Sequence, residues 1–177
     1  MNFWLDAEWN DFRGDLISMA LVDEDGREWY GVLECLDPTP WVAENVMPVL
    51  NQAAVSIMVM RDSLYKFLRN YDDVHVIADW PEDIQHFCAL LIAGPGDRIE
   101  TPPLTFEIWN WEKRTKPTMS HNALADAWAI KDSYPVWGWI EYVDDTEPVP
   151  QKTKEFFDAF KWVGPLSKYK LGDIKGE

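Results

Sequence analysis

Two acidic side chains occupy a segment that otherwise has the pattern of a β-strand. In the segment from Phe3 to Trp9, FWLDAEW, Asp6 and Glu8 stand two residues apart. An extended chain alternates its side chains between two faces, so both carboxylates point the same way, about 7 Å apart along the strand. Strand interiors are depleted in acids, and two on one face repel each other unless a cation lies between them. The segment therefore predicts a divalent-metal site that other acids must complete.

Hydropathy patterns predict the elements that would position such acids. Strands are predicted at 3–9, 16–22 and 28–33, an antiparallel meander with an Asp25-Gly26 hairpin turn. Further strands are predicted at 74–79 and 105–109, and a loop begins at Gly94. Helices are predicted at 41–47, 56–70, 83–92 and 121–133, the last with Ser120 as its N-cap. The expected fold class is α/β, a five-stranded mixed sheet flanked by helices.

Three parts of this arrangement position acidic side chains at one end of the sheet. They are the first strand, the start of the helix after the fourth strand, and the first turns of the helix after the fifth. Their acids are Asp6 and Glu8, then Asp83 or its rival Asp79, and then Asp126. Taken alone, Asp83 is also typical of an ordinary first-turn acid, which the helix dipole favours.

A histidine precedes the last of these acids. His121 and Asp126 are five residues apart, which places them about 140° apart on an ideal helix. Both reach one point only if His121 lies in the lead-in to the helix. A lone histidine is more often a surface or core residue, so a catalytic role for His121 depends on the neighbouring acids.

Three segments of the chain together resemble a known set of motifs. They are FWLDAE around Asp6 and Glu8, DWPEDI from Asp79, and HNALADA from His121 to Ala127. They resemble the three motifs of the DEDDh family, the ribonuclease H-like 3'-5' exonucleases. Within that family, the spacing and the stretch EDGREWY look most like the mycobacterial RNase AS-type exoribonucleases. The resemblance covers roughly residues 1–134, and it departs at Asp79, where the family usually has Asn.

The resemblance implies a two-metal nuclease with a ribonuclease H-like fold. Two Mg²⁺ or Mn²⁺ ions would be held about 3.5–4 Å apart, one activating a water and the other stabilising the leaving 3'-oxygen. The implied ligands are Asp6, Glu8, Asp83 and Asp126. Imidazole exchanges protons near neutral pH, so His121 is the implied general base. The expected activity is removal of nucleoside 5'-monophosphates from the 3' end of single-stranded RNA.

Other side chains are candidates for substrate contact. Trp9 and Trp80 lie beside the acidic motifs and are placed to stack a terminal base, although core or rim packing is an equal alternative for them. Asp79 is a further candidate for substrate contact. Arg13 and the basic cluster of Lys113, Arg114 and Lys116 are the candidate phosphate contacts, and a solvated loop is the alternative for that cluster.

The composition of the chain limits the kinds of partner that the protein can bind. The chain has 177 residues, is 47% hydrophobic and carries a formal net charge of −15, which argues against broad affinity for a polyanion. Cys35 and Cys88 lack metal-ligand spacing. No long apolar run or basic leader is found, so we expect a cytoplasmic protein without a membrane partner.

Two other functions remain open from the sequence. The same chemistry on single-stranded DNA is one, because discrimination depends on contacts to the 2'-OH. A non-catalytic acidic protein that binds a partner is the other. We expect an exonuclease domain at 1–134 and a C-terminal extension at 135–177, with a further strand at 136–142 and a helix at 153–162. The aromatic residues of that extension are compatible with a homodimer.

Overall fold

The computed structural model describes residues 1–135. Three antiparallel strands begin this part of the chain, namely β1 (Asn2–Trp9), β2 (Leu16–Asp23) and β3 (Glu28–Val32). Gly26, in the turn between β2 and β3, has a φ of +81°, a conformation that glycine adopts without strain. The predicted meander and its Asp-Gly turn are confirmed.

Four further strands follow, of which two extend the sheet beyond β1 and two form a separate hairpin. They are β4 (Val74–Ala78), β5 (Ile92–Gly94), β6 (Asp97–Arg98) and β7 (Leu104–Ile108). β4 pairs in parallel with β1, and β7 pairs in parallel with β4, which gives the strand order β3-β2-β1-β4-β7. The described residues therefore form a five-stranded mixed sheet, as predicted, with β1 at its centre.

Four α-helices occur within residues 1–135. They are α1 (Pro40–Asn45), α2 (Ile57–Leu68), α3 (Pro81–Leu91) and α4 (Ala123–Ser133), with short 3-10 turns at Met47–Val49 and Trp111–Lys113. α2 buries Met60, Leu64 and Leu68 against the sheet, and each such side chain contributes about 1.5–3 kcal/mol relative to exposure. None of the helices in this range has the length and apolar character needed to cross a membrane.

The side chains of β1 alternate between two helix layers. Those packed in the core with α2 and α3 are Phe3, Leu5 and Ala7. Trp4 packs on the opposite face with Ile130 of α4. Because side chains two residues apart share a face, Asp6 and Glu8 lie on the α4 side of the sheet.

Close packing of α4 depends on small side chains. Ala123 and Ala127 are fully buried in a cluster with Ala20 and Val22 of β2. Side chains of this size let a helix backbone approach the sheet closely. The first turn of α4 is thereby held directly over the acids of β1.

Two predictions about element boundaries are wrong. The predicted loop from Gly94 contains the small hairpin of β5 and β6. α4 begins at Ala123 with Asn122 as its N-cap, not at His121 with Ser120, because Asn122 is held from both sides. Its side-chain oxygen accepts from the backbone N–H of Ala125, and its Nδ2 donates to the Val49 carbonyl at 2.7 Å.

The strand expected at 136–142 and the helix expected at 153–162 lie outside the described residues. The division at residue 134 and the homodimer stay predictions as well.

Candidate active site

The end of the parallel pairing between β1 and β4 creates the first part of the site. The two strands pair from Asn2 to Leu5 on β1, where Leu5 faces Ala78. Beyond this point the backbone N–H of Ala7 donates to Oδ1 of Asp83 at 3.0 Å. A buried backbone N–H needs a hydrogen-bond partner. Because β4 no longer pairs with β1 at this point, a carboxylate of α3 accepts the bond instead.

Both acids of the second motif come from the connection between β4 and α3. Asp79 follows the last residue of β4, and Asp83 lies in the first turn of α3, which starts at Pro81. Proline suits this first helical position because its missing N–H would have no partner there. Asp79 and Asp83 are both buried, which is uncommon for acids without a compensating charge.

The third element of the site is the first turn of α4. Asp126 lies in that turn and is buried. The Asn122 cap fixes the start of the helix, and the alanine packing fixes its distance from the sheet. Together these contacts direct Asp126 toward the acids of β1.

The structure brings five carboxylates together. One oxygen each from Asp6, Glu8 and Asp126 lie within 4.8 Å of one another, and so do one oxygen each from Asp6, Asp79 and Asp83. Asp6 belongs to both groups and lies at the centre of the cluster. Both rivals for the second motif are therefore near Asp6.

Two oxygens of this cluster are buried and find no hydrogen-bond partner in the part of the chain that the structure describes. They are Oδ2 of Asp83 and Oδ2 of Asp126. An unpartnered buried carboxylate oxygen is costly, and a hard divalent cation is the ligand that such oxygens suit. The donor set therefore fits Mg²⁺ or Mn²⁺.

Burial raises the pKa of all five carboxyl groups above their ordinary values. Repulsion by Asp83 and Asp126 adds to the raised pKa of Asp6. The pKa of Glu8 rises to about 8, mainly through burial and then through the charge of Asp126. Such shifts mark a cluster that lacks enough positive charge.

Within residues 1–135, one cationic side chain contacts the cluster directly, that of Arg114. Nη1 of Arg114 lies 3.4 Å from Asp6 Oδ1, 3.2 Å from Asp79 Oδ2 and 3.4 Å from Asp126 Oδ1. Its charge opposes the raised pKa of four of the five acids. The sequence indicated Arg114 only as a phosphate contact, because no local pattern shows which distant acids a loop arginine meets.

His121 lies immediately before α4. It has a φ of +64° and lines the same cleft, of about 530 Å³, as the acids. Burial raises the pKa of Asp126, and the nearby His121 offsets part of that rise. The ring also meets Trp41 edge-on, with centroids 5.0 Å apart, a contact that the sequence did not indicate.

The two candidate stacking residues also line the cleft. Trp80 is 47% exposed, and its Nε1 donates to Glu82. Trp9 is partly buried and stacks on His86 of α3, with centroids 5.2 Å apart. Arg13 instead lies in the exposed turn after β1, with its guanidinium over the Phe12 ring.

Comparison with known proteins identifies two relatives. No family model matches the sequence. Two curated proteins named 3'-5' exoribonuclease, from the CDC 1551 / Oshkosh and ATCC 25618 / H37Rv strains of Mycobacterium tuberculosis, are similar to this chain. Each is 33% identical over 131 residues, which represents 64% of this chain and 77% of the relative.

Proposed function

The chain belongs to the 3'-5' exoribonuclease family of these two mycobacterial relatives, and we propose that it is itself a divalent-metal-dependent 3'-5' exoribonuclease. Its substrate is the 3' end of single-stranded RNA, and its products are nucleoside 5'-monophosphates. One observation carries the metal-dependent part of this proposal. It is the convergence of buried carboxylates, two of them with an unpartnered oxygen, at an open cleft.

The proposed fold is ribonuclease H-like. An antiparallel meander followed by two strands parallel to its first strand supports this assignment, with helices on both faces. The exonuclease domain is proposed to comprise residues 1–134.

Four acids are proposed to hold two metal ions, namely Asp6, Glu8, Asp83 and Asp126. Asp83 is preferred to Asp79 because Oδ2 of Asp83 is buried without a hydrogen-bond partner among the described residues. When bound, the ions supply a nucleophilic water at neutral pH and offset the charge of the leaving oxygen.

The side chains of the cleft carry out the other steps. His121 accepts the proton of the attacking water, a task that suits an imidazole at neutral pH. Trp80 and Trp9 offer aromatic faces to the last bases of the strand, since base stacking on aromatic rings tolerates any sequence. A 3' end positioned in this way places its terminal phosphodiester near the acids.

The proposal is tested with 5'-labelled single-stranded RNA and DNA of equal sequence. Each is incubated with the protein in Mg²⁺, in Mn²⁺ and in chelator. We expect a ladder of 3'-shortened RNA that disappears in chelator. Equal ladders on DNA would instead favour a DNA exonuclease, and no ladder with either metal would leave the non-catalytic alternative.

Two controls make this experiment specific. Asp6→Asn keeps the shape of the side chain and removes its charge, so the ladder should disappear while the protein stays folded. A circular RNA of the same sequence has no 3' end and should remain intact, because the proposed reaction starts only from an end.

A further inference from the structure

A single guanidinium nitrogen occupies the position where a cation would meet three carboxylates. Nη1 of Arg114 lies between Asp6 of β1, Asp79 after β4 and Asp126 of α4, at 3.2–3.4 Å from each. Two of these acids, Asp6 and Asp126, belong to the proposed metal ligands. The arginine therefore contacts two of the carboxylates that a divalent ion would need.

We propose that Arg114 is an internal counter-ion that competes with the divalent metal for this cluster and leaves it when the metal binds. The inference rests on the proposed metal site, and it assigns Arg114 a role in metal affinity.

The contacts of Arg114 are loose enough for exchange. Charge-assisted N–H···O bonds are usually about 2.7–2.9 Å long, whereas these three distances are all longer. One nitrogen serves all three acids, so the guanidinium does not form the two parallel bonds that make arginine–carboxylate pairs strong. The side chain is also 29% exposed, so it has a path toward solvent.

The attachment of Arg114 to the fold allows such a movement. It follows the short 3-10 turn Trp111–Lys113 in the connection between β7 and α4. The next residue, Thr115, is anchored through its backbone N–H to Ser133 Oγ at 2.7 Å. The backbone beside Arg114 is thus fixed to α4, and the long side chain can change position without moving the helix.

Charge explains why the two cations exclude each other. Within the described residues, four buried acids and the partly buried Glu8 near one arginine leave a negative surplus, which a divalent ion offsets better than one guanidinium does. With the ion bound, a guanidinium on the same carboxylates would meet like charge at close range, and this repulsion favours its departure.

The test is calorimetric titration of Mn²⁺ into the metal-free protein and its variants. Arg114→Gln removes the competitor, and we expect it to bind Mn²⁺ about tenfold more tightly, a size typical of coupling between two ligands. Lys113→Gln is the matched control. It removes one positive charge from an exposed neighbouring residue, and its affinity should stay within about threefold of the wild type.

Thermal unfolding provides a second readout. In chelator, Arg114→Gln should melt at a lower temperature than the wild type, because the acids lose their counter-ion. In saturating Mn²⁺ the difference should disappear. Arg114→Lys keeps a charge but cannot reach three acids equally, so its affinity should lie between those of the other two proteins.

The outcomes separate this inference from the proposed function. Equal or weaker Mn²⁺ binding by Arg114→Gln would overturn the competition and leave the metal site standing. An equal gain in Lys113→Gln would also overturn it, since the effect would then be general electrostatics. A wild-type protein that binds no Mn²⁺ would overturn both. If Arg114→Gln does not fold in chelator, Arg114→Lys decides the question by the same comparison.

Discussion

Asp83 and Ala7 are joined by a hydrogen bond that runs from the helix layer to the central strand. Oδ1 of Asp83 accepts from the backbone N–H of Ala7 at 3.0 Å, between the two acids of β1. One oxygen of the carboxylate is therefore used to fix its orientation. The other, Oδ2, is buried and has no hydrogen-bond partner among the described residues.

This arrangement predicts different effects for the two acids of the second motif. Asp83→Asn keeps an acceptor for Ala7 but loses the charge that a metal needs. Loss of a group that only supports a metal ligand already costs roughly 10- to 100-fold in metal affinity. We expect the Mg²⁺ affinity of Asp83→Asn to fall by more than this. Asp79→Asn should stay within about tenfold of the wild type. Calorimetry and RNA turnover measure both, and the reverse order would make Asp79 the ligand.

Replacement of His121 should separate chemistry from metal binding. If the imidazole is the general base, His121→Ala should slow turnover about 10²- to 10⁴-fold and leave Mg²⁺ affinity nearly unchanged. His75→Ala is the control, because that histidine instead contacts Thr105 and Glu107 between β4 and β7. A fall in metal affinity as large as that of Asp6→Asn would show that His121 is not simply a base.

The raised pKa of Glu8 predicts how stability depends on pH. The pKa of this group is about 8 in the folded protein, against an ordinary value of 4.5. Between these values the folded state holds a proton that the unfolded chain releases, so stability falls as pH rises. In chelator, the melting temperature should therefore decrease between about pH 5 and pH 8.

Bound metal should abolish that decrease, because it favours the ionised carboxylates and stabilises the folded state by mass action. Thermal unfolding at several pH values, with chelator or with saturating Mg²⁺, measures both curves. Glu8→Gln should flatten the curve in chelator. A metal-free protein that becomes more stable toward pH 8 would contradict the assignment.

Exposed Trp80 should contribute to RNA binding. Loss of one stacked base costs about 1–3 kcal/mol, so Trp80→Ala should raise KM for single-stranded RNA at least about fivefold with little change in kcat. Trp80→Phe should retain most of the affinity. Trp128, whose Nε1 donates to Glu28, provides the control, and an equal effect of Trp128→Ala would indicate a general loss of stability.

The sequence predicted those features that depend on short-range periodicity. The common face of Asp6 and Glu8 follows from strand alternation, and Asp126 follows from its place in an alanine-rich helix. The two short strands around Gly94 were missed because a Gly-Pro-Gly stretch is typical of loops. The choice of Asn122 over Ser120 as N-cap depends on Val49, which is distant in sequence.

Long-range contacts limited the prediction of the site. The three acids that meet Arg114 come from separate elements, and no spacing in the connection between β7 and α4 indicates them. The stacking of Trp9 on His86 likewise depends on where α3 packs. Sequence patterns thus indicate the acids, whereas the neutralising and supporting side chains are determined by the tertiary structure.

The placement of the acids on both β1 and α4 has a consequence during protein synthesis. Asp6 leaves the ribosome early, whereas Asp126 emerges only after the whole sheet has been translated. Contacts between such distant segments form late in folding because they must close long loops. On the proposed function, the nuclease centre therefore stays incomplete until α4 has been synthesised and has packed on the sheet.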